Sequence, residues 1–216
     1  MKWKAFLFDL NGTMINDMPY HVKAWHGILN QLGSDISMEE MKAECYGKNH
    51  ELLERIFPGR FTDAEKNELS WKKEEQYRED FLPSLKLLPG LKKFITDAHA
   101  AGIKMAIGSA AIMSNIDFVL DGTGIRQYFD AIVSADNVRN SKPHPETFLA
   151  CAEQLNVSPH ECLVFEDAPA GVKSAANAGM DAVVITGHHE TEEFNGQSNI
   201  ISFITDYNGL FEQLIP

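Results

Sequence analysis

The sequence predicts an α/β protein in which a mainly parallel sheet forms the core and a helical domain is inserted after the first strand. Short apolar segments rich in β-forming residues recur along the 216-residue chain and alternate, in its later part, with stretches of helical spacing. Such alternation is typical of βαβ units, whose parallel strands are buried on both faces. In one block, residues 15–82, strand-like segments are missing and helical patterns follow one another.

Five apolar segments are expected to form strands, at residues 5–8, 105–107, 131–133, 162–165 and 182–185. Helices are expected between the later ones, for example at 91–101 and 145–155. Within the inserted block, helical patterns occupy residues 20–32, 38–46, 51–57 and 63–80. Pro83 and Pro89-Gly90 mark the return to strand–helix alternation. We therefore expect a core domain of residues 1–14 and 83–216 and a helical cap domain of residues 15–82.

The composition argues against several classes of protein. The formal net charge of −12 and the lack of a basic stripe disfavour a nucleic-acid surface, because phosphate backbones require clustered Lys and Arg. The three cysteines form no C-x-x-C pair, which favours a reduced protein of the cytoplasm. The apolar segments are too short to span a membrane and no signal peptide is apparent, so we expect a cytoplasmic monomer with no membrane partner.

The first predicted strand ends on a carboxylate, Asp9, and Asn11-Gly12-Thr13 follows. Ligands of open parallel sheets bind at the carboxyl ends of the strands, so Asp9 is placed where such a sheet presents its chemistry. The same stretch has the spacing that opens a calcium loop, but Met14 stands where that loop requires Gly and Tyr20 where it requires Glu. A calcium loop is therefore excluded, and a turn residue or a catalytic carboxylate remains.

Three distant features accompany Asp9. Ser109 ends the second predicted strand ahead of a helix, whose start offers N–H groups and a positive dipole end to an anion. Lys142 stands just before a helix whose start is set by proline, and Glu166-Asp167 ends the fourth predicted strand. Taken singly, Ser109 is interpreted as a helix N-cap, Lys142 as a solvated charge and the acidic pair as helix-capping residues. Together, each at a strand end or a helix start, they indicate a site.

These residues resemble the four motifs of the haloacid dehalogenase (HAD) superfamily of phosphotransferases, here Asp9-Leu10-Asn11-Gly12-Thr13, Ser109, Lys142 and Glu166-Asp167. The resemblance covers essentially the whole chain and points to the subgroup of β-phosphoglucomutase and related small-metabolite phosphatases. It extends to the cap, where Tyr20-His21 with Trp25 is similar to the first cap helix and Gly47-Lys48 to the specificity loop. It implies a Rossmann-like parallel core with an inserted helical cap.

The resemblance also implies the chemistry and the cofactor. Asp9 would attack the phosphate of a small phosphorylated metabolite and become a transient aspartyl-phosphate. Mg²⁺ would be held by Asp9, the backbone carbonyl of Asn11 and Asp167, with Glu166 close by. The phosphoryl oxygens would be held, and their charge offset, by Gly12, Ser109, Ala110 and Lys142.

Position 11 departs from the family pattern, in which phosphatases and mutases carry a second Asp that acts as general acid and base. Asn11 keeps a backbone carbonyl for the metal but exchanges no proton, and general acid–base help is worth roughly 10²- to 10⁴-fold. Three explanations stay open: activity limited to activated substrates such as acyl or aryl phosphates, an engineered change, or a protein that binds without turnover. Phosphonate cleavage and dehalogenation on the same scaffold are ranked lower.

The cap is expected to select the substrate. His21 and Trp25 lie four residues apart on one helix face, where either ligand contact or a packed cap core explains them. Lys48 and His50 fall in the candidate specificity loop, and the alternative for them is a solvated helix start. For Lys73, substrate contact is the functional interpretation, but an exposed ion-pairing face is favoured.

The sequence therefore predicts an Mg²⁺-dependent phosphatase of a small phosphorylated metabolite, expected to be a sugar phosphate. A phosphomutase must hold a second phosphate in the cap, and the cap arginines, Arg55, Arg60 and Arg78, all lie outside the specificity loop. Phosphatase is thus preferred to a β-phosphoglucomutase-type phosphomutase. A non-catalytic phosphometabolite-binding protein is the alternative that Asn11 leaves open.

Overall fold

The computed structural model describes residues 2–215, which divide into two compact units. One unit contains the residues up to Asn16 and those from Lys86 onward, and the other contains Asp17–Leu85. The first unit holds the strands found in the described residues, whereas the second is built from helices. We refer to them as the sheet unit and the helical unit.

The strands form one parallel sheet in the spatial order β3-β2-β1-β4-β5-β6. They are β1 (Ala5–Phe8), β2 (Lys104–Gly108), β3 (Ala131–Val133), β4 (Cys162–Glu166), β5 (Asp181–Ile185) and β6 (Ile200–Ile204). The predicted α/β architecture is confirmed. The sequence did not predict β6. This strand pairs with β5 alone at the sheet edge. It therefore lacks the fully buried apolar run that marks an inner strand in the sequence.

Within residues 2–215 the α-helices are α1 (Met18–Gln31), α2 (Met38–Glu44), α3 (Asn49–Ile56), α4 (Asp63–Phe81), α5 (Leu91–Ala100), α6 (Met113–Thr123), α7 (Glu146–Leu155), α8 (Pro169–Asn177) and α9 (Leu210–Leu214). The first four correspond to the helical patterns of the inserted block, with ends shifted by a few residues. α2 and α4 begin with capping boxes, in which Ser37 pairs with Glu40 and Thr62 with Glu65.

Buried clusters cover both faces of the sheet. Because side chains alternate along a strand, Phe6 and Phe8 of β1 point to one face and Leu7 to the other. The ring of Phe6 stacks on Phe94 of α5 at 5.3 Å between centroids, and Phe8 stacks on Phe165 of β4 at 4.7 Å. Leu7 joins the opposite cluster, which includes residues of α7 and α8. Burial on both faces is the reason that the inner strands are continuous apolar runs in the sequence.

The strand order brings three separate segments to the same edge of the sheet. β1 lies between β2 and β4, with Phe8 opposite both Ile107 and Phe165. Asp9, directly after β1, donates its N–H to the Phe165 carbonyl at 3.0 Å. Because parallel strands end on the same side, the residues that follow β1, β2 and β4 converge there.

The helical unit has its own apolar core. Its buried members are Val22, Trp25, Ile28, Leu29, Met41, Leu52 and Leu53. Trp25 is 1% exposed within this core. No helix among residues 2–215 combines the length and the apolarity that crossing a membrane would take.

Replacing Trp25 by alanine should lower the free energy of unfolding by about 3–5 kcal/mol, because the change removes a large buried side chain and leaves a cavity. Trp71→Ala in the same unit is the matched control: Trp71 is 63% exposed, and its loss should change that free energy by less than about 0.5 kcal/mol. Denaturant unfolding followed by circular dichroism measures both variants. Equal losses would contradict the core position of Trp25.

Candidate active site

Three carboxylates gather at the carboxyl edge of the sheet. Asp9 follows β1, Glu166 is the last residue of β4, and Asp167 follows it. One oxygen from each lies within 4.8 Å of the others, and all three residues are buried. The neighbouring strands β1 and β4 thus direct three potential metal ligands to one point.

Lys142 lies inside this acidic cluster. Its Nζ donates to Asp9 Oδ1 at 2.6 Å, to Glu166 Oε1 at 2.8 Å and to the Gly108 carbonyl at 3.0 Å. The lysine side chain is 9% exposed, so its interpretation as a solvated surface charge is wrong. Because an ammonium has three N–H donors, these acceptors fix its position between the two acidic motifs.

Backbone groups and two glycines fit closely around the carboxylates. Glu166 Oε2 accepts the N–H groups of Asp167 and Ala168, both at 2.9 Å. A Cβ on Gly171, in the first turn of α8, would overlap the Glu166 carboxylate. A Cβ on Gly12 would overlap the Asp167 carboxylate, and Gly12 has a φ of +76°, which favours glycine. Both positions therefore require the absence of a side chain.

Two residues beside the acids were missed by the sequence prediction. Thr13 donates from Oγ1 to Asp167 Oδ1 at 3.3 Å, and Tyr207 donates from its hydroxyl to the Thr13 carbonyl at 3.0 Å. Thr13 belongs to the first motif, and its place four residues after Asp9 could have identified it as a site residue. Tyr207 comes from the chain after β6, and no motif spacing links it to the acids.

The cluster carries more negative than positive charge. Burial, together with the neighbouring carboxylates of Glu166 and Asp9, raises the pKa of Asp167 well above its ordinary value. Burial alone would lower the pKa of Lys142, but the carboxylates of Asp9 and Glu166 outweigh it and raise that pKa. Three carboxylates around one ammonium leave a net negative site. A divalent cation that prefers oxygen ligands, such as Mg²⁺, fits this set of donors.

Ser109 lies directly after β2 and is buried. Its hydroxyl accepts the N–H of Ala111 at 3.1 Å. The next helix, α6, has Ile112 as its N-cap residue, so the N-cap interpretation of Ser109 is wrong. Ser109 and Ala110 instead form a turn at the sheet edge beside Gly108, whose carbonyl accepts a hydrogen bond from the lysine ammonium.

The loop that carries Lys142 is anchored by the first residue of α7. The Glu146 carboxylate accepts the backbone N–H of Arg139 at 2.8 Å and the backbone and side-chain N–H groups of Asn140 at 3.0 and 2.8 Å. These hydrogen bonds, led by the two from the backbone, lower the pKa of Glu146 from 4.5 to about 2. Glu146 therefore orders the chain just before Lys142.

Asn11 is half-buried in the turn after β1. The turn is closed by the N–H of Gly12, which donates to the Ile15 carbonyl at 2.9 Å, and Asn11 forms a β-bridge with Ile15. This short turn holds Asn11 and Gly12 at the carboxyl edge of the sheet, directly after Asp9.

A buried polar network lies within the helical unit. Lys73 Nζ donates to His21 Nδ1 at 2.6 Å and to Glu74 Oε1 at 3.0 Å. Since an ammonium only donates, His21 Nδ1 is the acceptor. The ring hydrogen is then on Nε2, which lies 3.3 Å from Asp17 Oδ2. Tyr77 donates its hydroxyl to the same Asp17 oxygen at 2.6 Å. Lys73 and Glu74 are buried, so the exposed ion-pairing face favoured for Lys73 is wrong.

The candidate specificity loop leads into α3 of the helical unit. The predicted residues here are Gly47, Lys48 and His50. Gly47 is exposed, Lys48 is the N-cap residue of α3, and His50 Nε2 lies 2.9 Å from Asn67 Oδ1. Asn49 donates to Glu74 Oε1 at 2.7 Å, which connects this loop to the buried network.

The predicted site residues thus fall into two groups, one in each unit. In the sheet unit, the structure brings together Asp9, Gly12, Lys142, Glu166 and Asp167, with Ser109, Ala110 and Asn11 in the adjoining turns. In the helical unit, it joins His21 to Lys73, places Trp25 with its ring centroid 5.7 Å from Lys73 Nζ, and leaves Gly47, Lys48 and His50 at the start of α3.

Known proteins resemble the chain over most of its length. A family model described as haloacid dehalogenase-like hydrolase matches residues 3–179. Fructose-1-phosphate phosphatase YqaB of Escherichia coli (strain K12) is 35% identical over 182 residues, which cover 84% of this chain and 96% of that protein. Beta-phosphoglucomutase of Bacillus subtilis (strain 168) is 36% identical over 189 residues, which cover 83% of this chain and 82% of that protein. The crystal structure of beta-phosphoglucomutase from Clostridium difficile has a TM-score of 0.85 at 30% identity, covering 98% of this chain and 95% of that one.

Replacing a helical glycine by alanine normally stabilises a protein by about 0.8–1 kcal/mol. At Gly171 we expect the opposite, because the new Cβ would displace the Glu166 carboxylate: the free energy of unfolding should fall by about 1–3 kcal/mol, and any binding of a divalent cation by the acidic cluster should weaken. Gly27→Ala in α1 is the control, since a Cβ there meets nothing within 4 Å. Thermal unfolding and calorimetric titration with Mg²⁺ measure both. A Gly171→Ala protein as stable and as metal-binding as its parent would refute the close approach.

Glu146 should contribute stability that depends on pH. Its pKa in the folded protein, about 2, lies below the ordinary 4.5, so its contribution is complete above that ordinary value and is lost as the pH falls toward about 2. Glu146→Gln should therefore destabilise the protein at neutral pH, and the difference should shrink in acid. Urea unfolding over this pH range measures it, with the exposed Glu153→Gln in the same helix as control. A difference that does not vary with pH would contradict the assignment.

Proposed function

The chain belongs to the haloacid dehalogenase-like hydrolase family, and we propose that it is a divalent-metal-dependent phosphatase that acts on a sugar phosphate. The predicted family resemblance, and with it the expectation of an enzyme, is confirmed by the family match and the relatives. One observation carries the proposal: Asp9, Glu166 and Asp167 converge on one buried point, and Lys142 is bonded among them.

The relatives support the substrate class. The two named activities, a fructose-1-phosphate phosphatase and a beta-phosphoglucomutase, both concern phosphorylated sugars. The buried anionic cluster supports phosphoryl chemistry independently, because a hard cation held by carboxylates is suited to binding phosphate oxygens. A small phosphorylated sugar is therefore the substrate that we infer for this chain.

We propose that the cation is Mg²⁺, held by Asp9, Asp167 and the backbone carbonyl of Asn11, with Glu166 beside it. When bound, the ion would shield the negative charges of the attacking carboxylate and of the phosphate from each other. The excess of buried carboxylates over ammonium groups in this site supports the assignment.

The proposed reaction has two steps. A carboxylate oxygen of Asp9 attacks phosphorus, and the bond to the leaving oxygen breaks with its electron pair on that oxygen, which gives an aspartyl-phosphate. Water then attacks the same phosphorus and releases a proton to solvent, the bond to Asp9 breaks with its electron pair on the carboxylate, and inorganic phosphate and the free carboxylate result. Lys142 orients Asp9 through Oδ1 and keeps a fixed positive charge there in both steps. Gly12, Ser109 and Ala110 are proposed to contact the phosphoryl oxygens.

Asn11 limits the leaving groups that can depart. Its amide exchanges no proton at neutral pH, so the leaving oxygen must take a proton from water or depart as an anion. General acid–base assistance is worth roughly 10²- to 10⁴-fold. We therefore expect slow turnover of sugar phosphates and faster turnover of aryl phosphates, whose leaving groups need no proton.

Arg55 supports phosphatase over phosphomutase. It lies outside the specificity loop in the sequence, and its guanidinium bonds to residues that come just before that loop. Nε donates to Glu44 Oε2 at 3.1 Å, and Nη2 donates to the carbonyls of Glu44 at 2.8 Å and Tyr46 at 2.9 Å. A phosphomutase needs a cation that is available for a second phosphate. A guanidinium already paired with Glu44 and bonded to the backbone is poorly suited to that task.

The test is phosphate release by the chain and by Asn11→Asp, each with and without Mg²⁺, on a panel of sugar phosphates and on p-nitrophenyl phosphate. Asn11→Asp should raise kcat on its sugar phosphate by about 10²- to 10⁴-fold. With the aryl phosphate it should raise the rate of the first step, followed as the burst of p-nitrophenol, much less, because only the sugar leaving group needs a proton. Omitting Mg²⁺, or replacing Asp9 by Asn, should abolish release from both substrates.

Asn195→Asp is the control for the change of charge, since Asn195 is exposed and lies outside the site. It should leave kcat unchanged. If neither the chain nor Asn11→Asp releases phosphate, but the chain binds a sugar phosphate tightly, the phosphatase is excluded and a binding protein is favoured.

A further inference from the structure

We propose that Phe148 is a positioning residue for the reaction, and that the face of its ring holds the ammonium of Lys142 beside the attacking carboxylate. Lys142 Nζ lies 4.6 Å from the centroid of the Phe148 ring. This distance is within the range, up to about 6 Å, in which an aromatic face attracts a cation. Phe148 is 0% exposed, so this attraction acts away from water, where it is strongest. The inference rests on the proposed function for its link to catalysis.

The ring reaches the ammonium because β2 ends on a glycine. A Cβ on Gly108 would lie 3.1 Å from Phe148 Cδ1 and 2.9 Å from Cys151 Sγ, closer than side chains normally pack. The same Gly108 gives its carbonyl to Lys142 Nζ at 3.0 Å. Gly108 thus makes room for the ring and also accepts a hydrogen bond from the cation that the ring faces.

α7 holds both parts of this arrangement. Its first residue, Glu146, anchors the loop before Lys142 through the backbone N–H groups of Arg139 and Asn140. Phe148 follows two residues later in the same helix and belongs to the buried cluster against the sheet. One rigid element therefore fixes the approach of the lysine stem and the surface on which its charged end lies.

The charges around Lys142 change during the proposed reaction, but the ring does not. Asp9 Oδ1 at 2.6 Å is one of the anionic partners of the ammonium. When Asp9 becomes an aspartyl-phosphate, its carboxylate charge is consumed in the new bond to phosphorus. The attraction of the Phe148 face persists through this step, so the ring keeps the ammonium in place when one of its anionic partners is weakened. Weakening the attraction between the Phe148 ring and the ammonium should therefore lower kcat more than it raises KM.

The experiment replaces Phe148 site-specifically by 4-fluoro-, 3,5-difluoro- and 3,4,5-trifluorophenylalanine. Each fluorine weakens the negative potential on the face of the ring but changes the volume of the ring little. If Phe148 only filled space, fluorination would therefore leave kcat unchanged. With p-nitrophenyl phosphate and Mg²⁺, kcat should fall stepwise, by about 3- to 10-fold in total, while KM changes by less than about twofold. The same series at Phe94, a buried ring stacked on Phe6, is the control and should leave kcat unchanged.

A second measurement does not depend on turnover. In protein labelled at lysine, the terminal CH₂ and ammonium signals of Lys142, assigned by their loss in Lys142→Gln, should be shifted upfield by the ring. In Phe148→Leu these signals should move downfield, toward the positions of the solvent-exposed lysines. If the enzyme shows no phosphatase activity but this shift is present, the proposed function fails and the positioning of Lys142 stands. A flat kcat across the fluorinated series, or signals that Phe148→Leu leaves in place, would overturn the proposal.

Discussion

Three carboxylates held within 4.8 Å of one another in a buried place repel each other, and the surrounding structure offsets this repulsion. Lys142 directs one N–H to Asp9 and another to Glu166. Two backbone N–H groups at the end of β4 satisfy the other oxygen of Glu166. Glycines at positions 12 and 171 leave the space that the carboxylates occupy. One ammonium still does not balance three acids, and this imbalance is the physical basis for proposing a divalent cation.

The ammonium is useful to chemistry only if it stays in one place, and α7 is the element that holds it. A lysine has a long flexible stem, and ordering such a side chain costs conformational entropy. The Glu146 carboxylate orders the preceding loop, and the Phe148 ring lies against the charged end. The fold therefore supplies rigidity to a mobile side chain from a helix that itself contributes no acid to the site.

The helical unit contains a second set of buried charges, and every member has a partner. Lys73 is bonded to His21 and Glu74, and Asp17 accepts from Tyr77. Burying ionised groups costs free energy unless they are paired and hydrogen-bonded. Removing one partner would therefore leave a buried charge unpaired and destabilise the unit. The network consequently fixes the tautomer of His21 and the direction of Lys73, two of the candidate substrate contacts named from the sequence.

The sequence by itself determined the class of fold and the positions of the main chemical groups, because both are local properties. Strand–helix alternation is visible in short windows, and Asp9, Ser109 and Glu166-Asp167 are recognisable as residues that end apolar runs. Tertiary structure decided what depends on partners distant in the chain. It added β6 at the sheet edge and buried Lys73, for which an exposed ion-pairing face was favoured. It also brought Tyr207 and the Phe148 ring to motifs far away in sequence. The burial of a charge depends on which groups surround it, and only the folded chain brings those groups together.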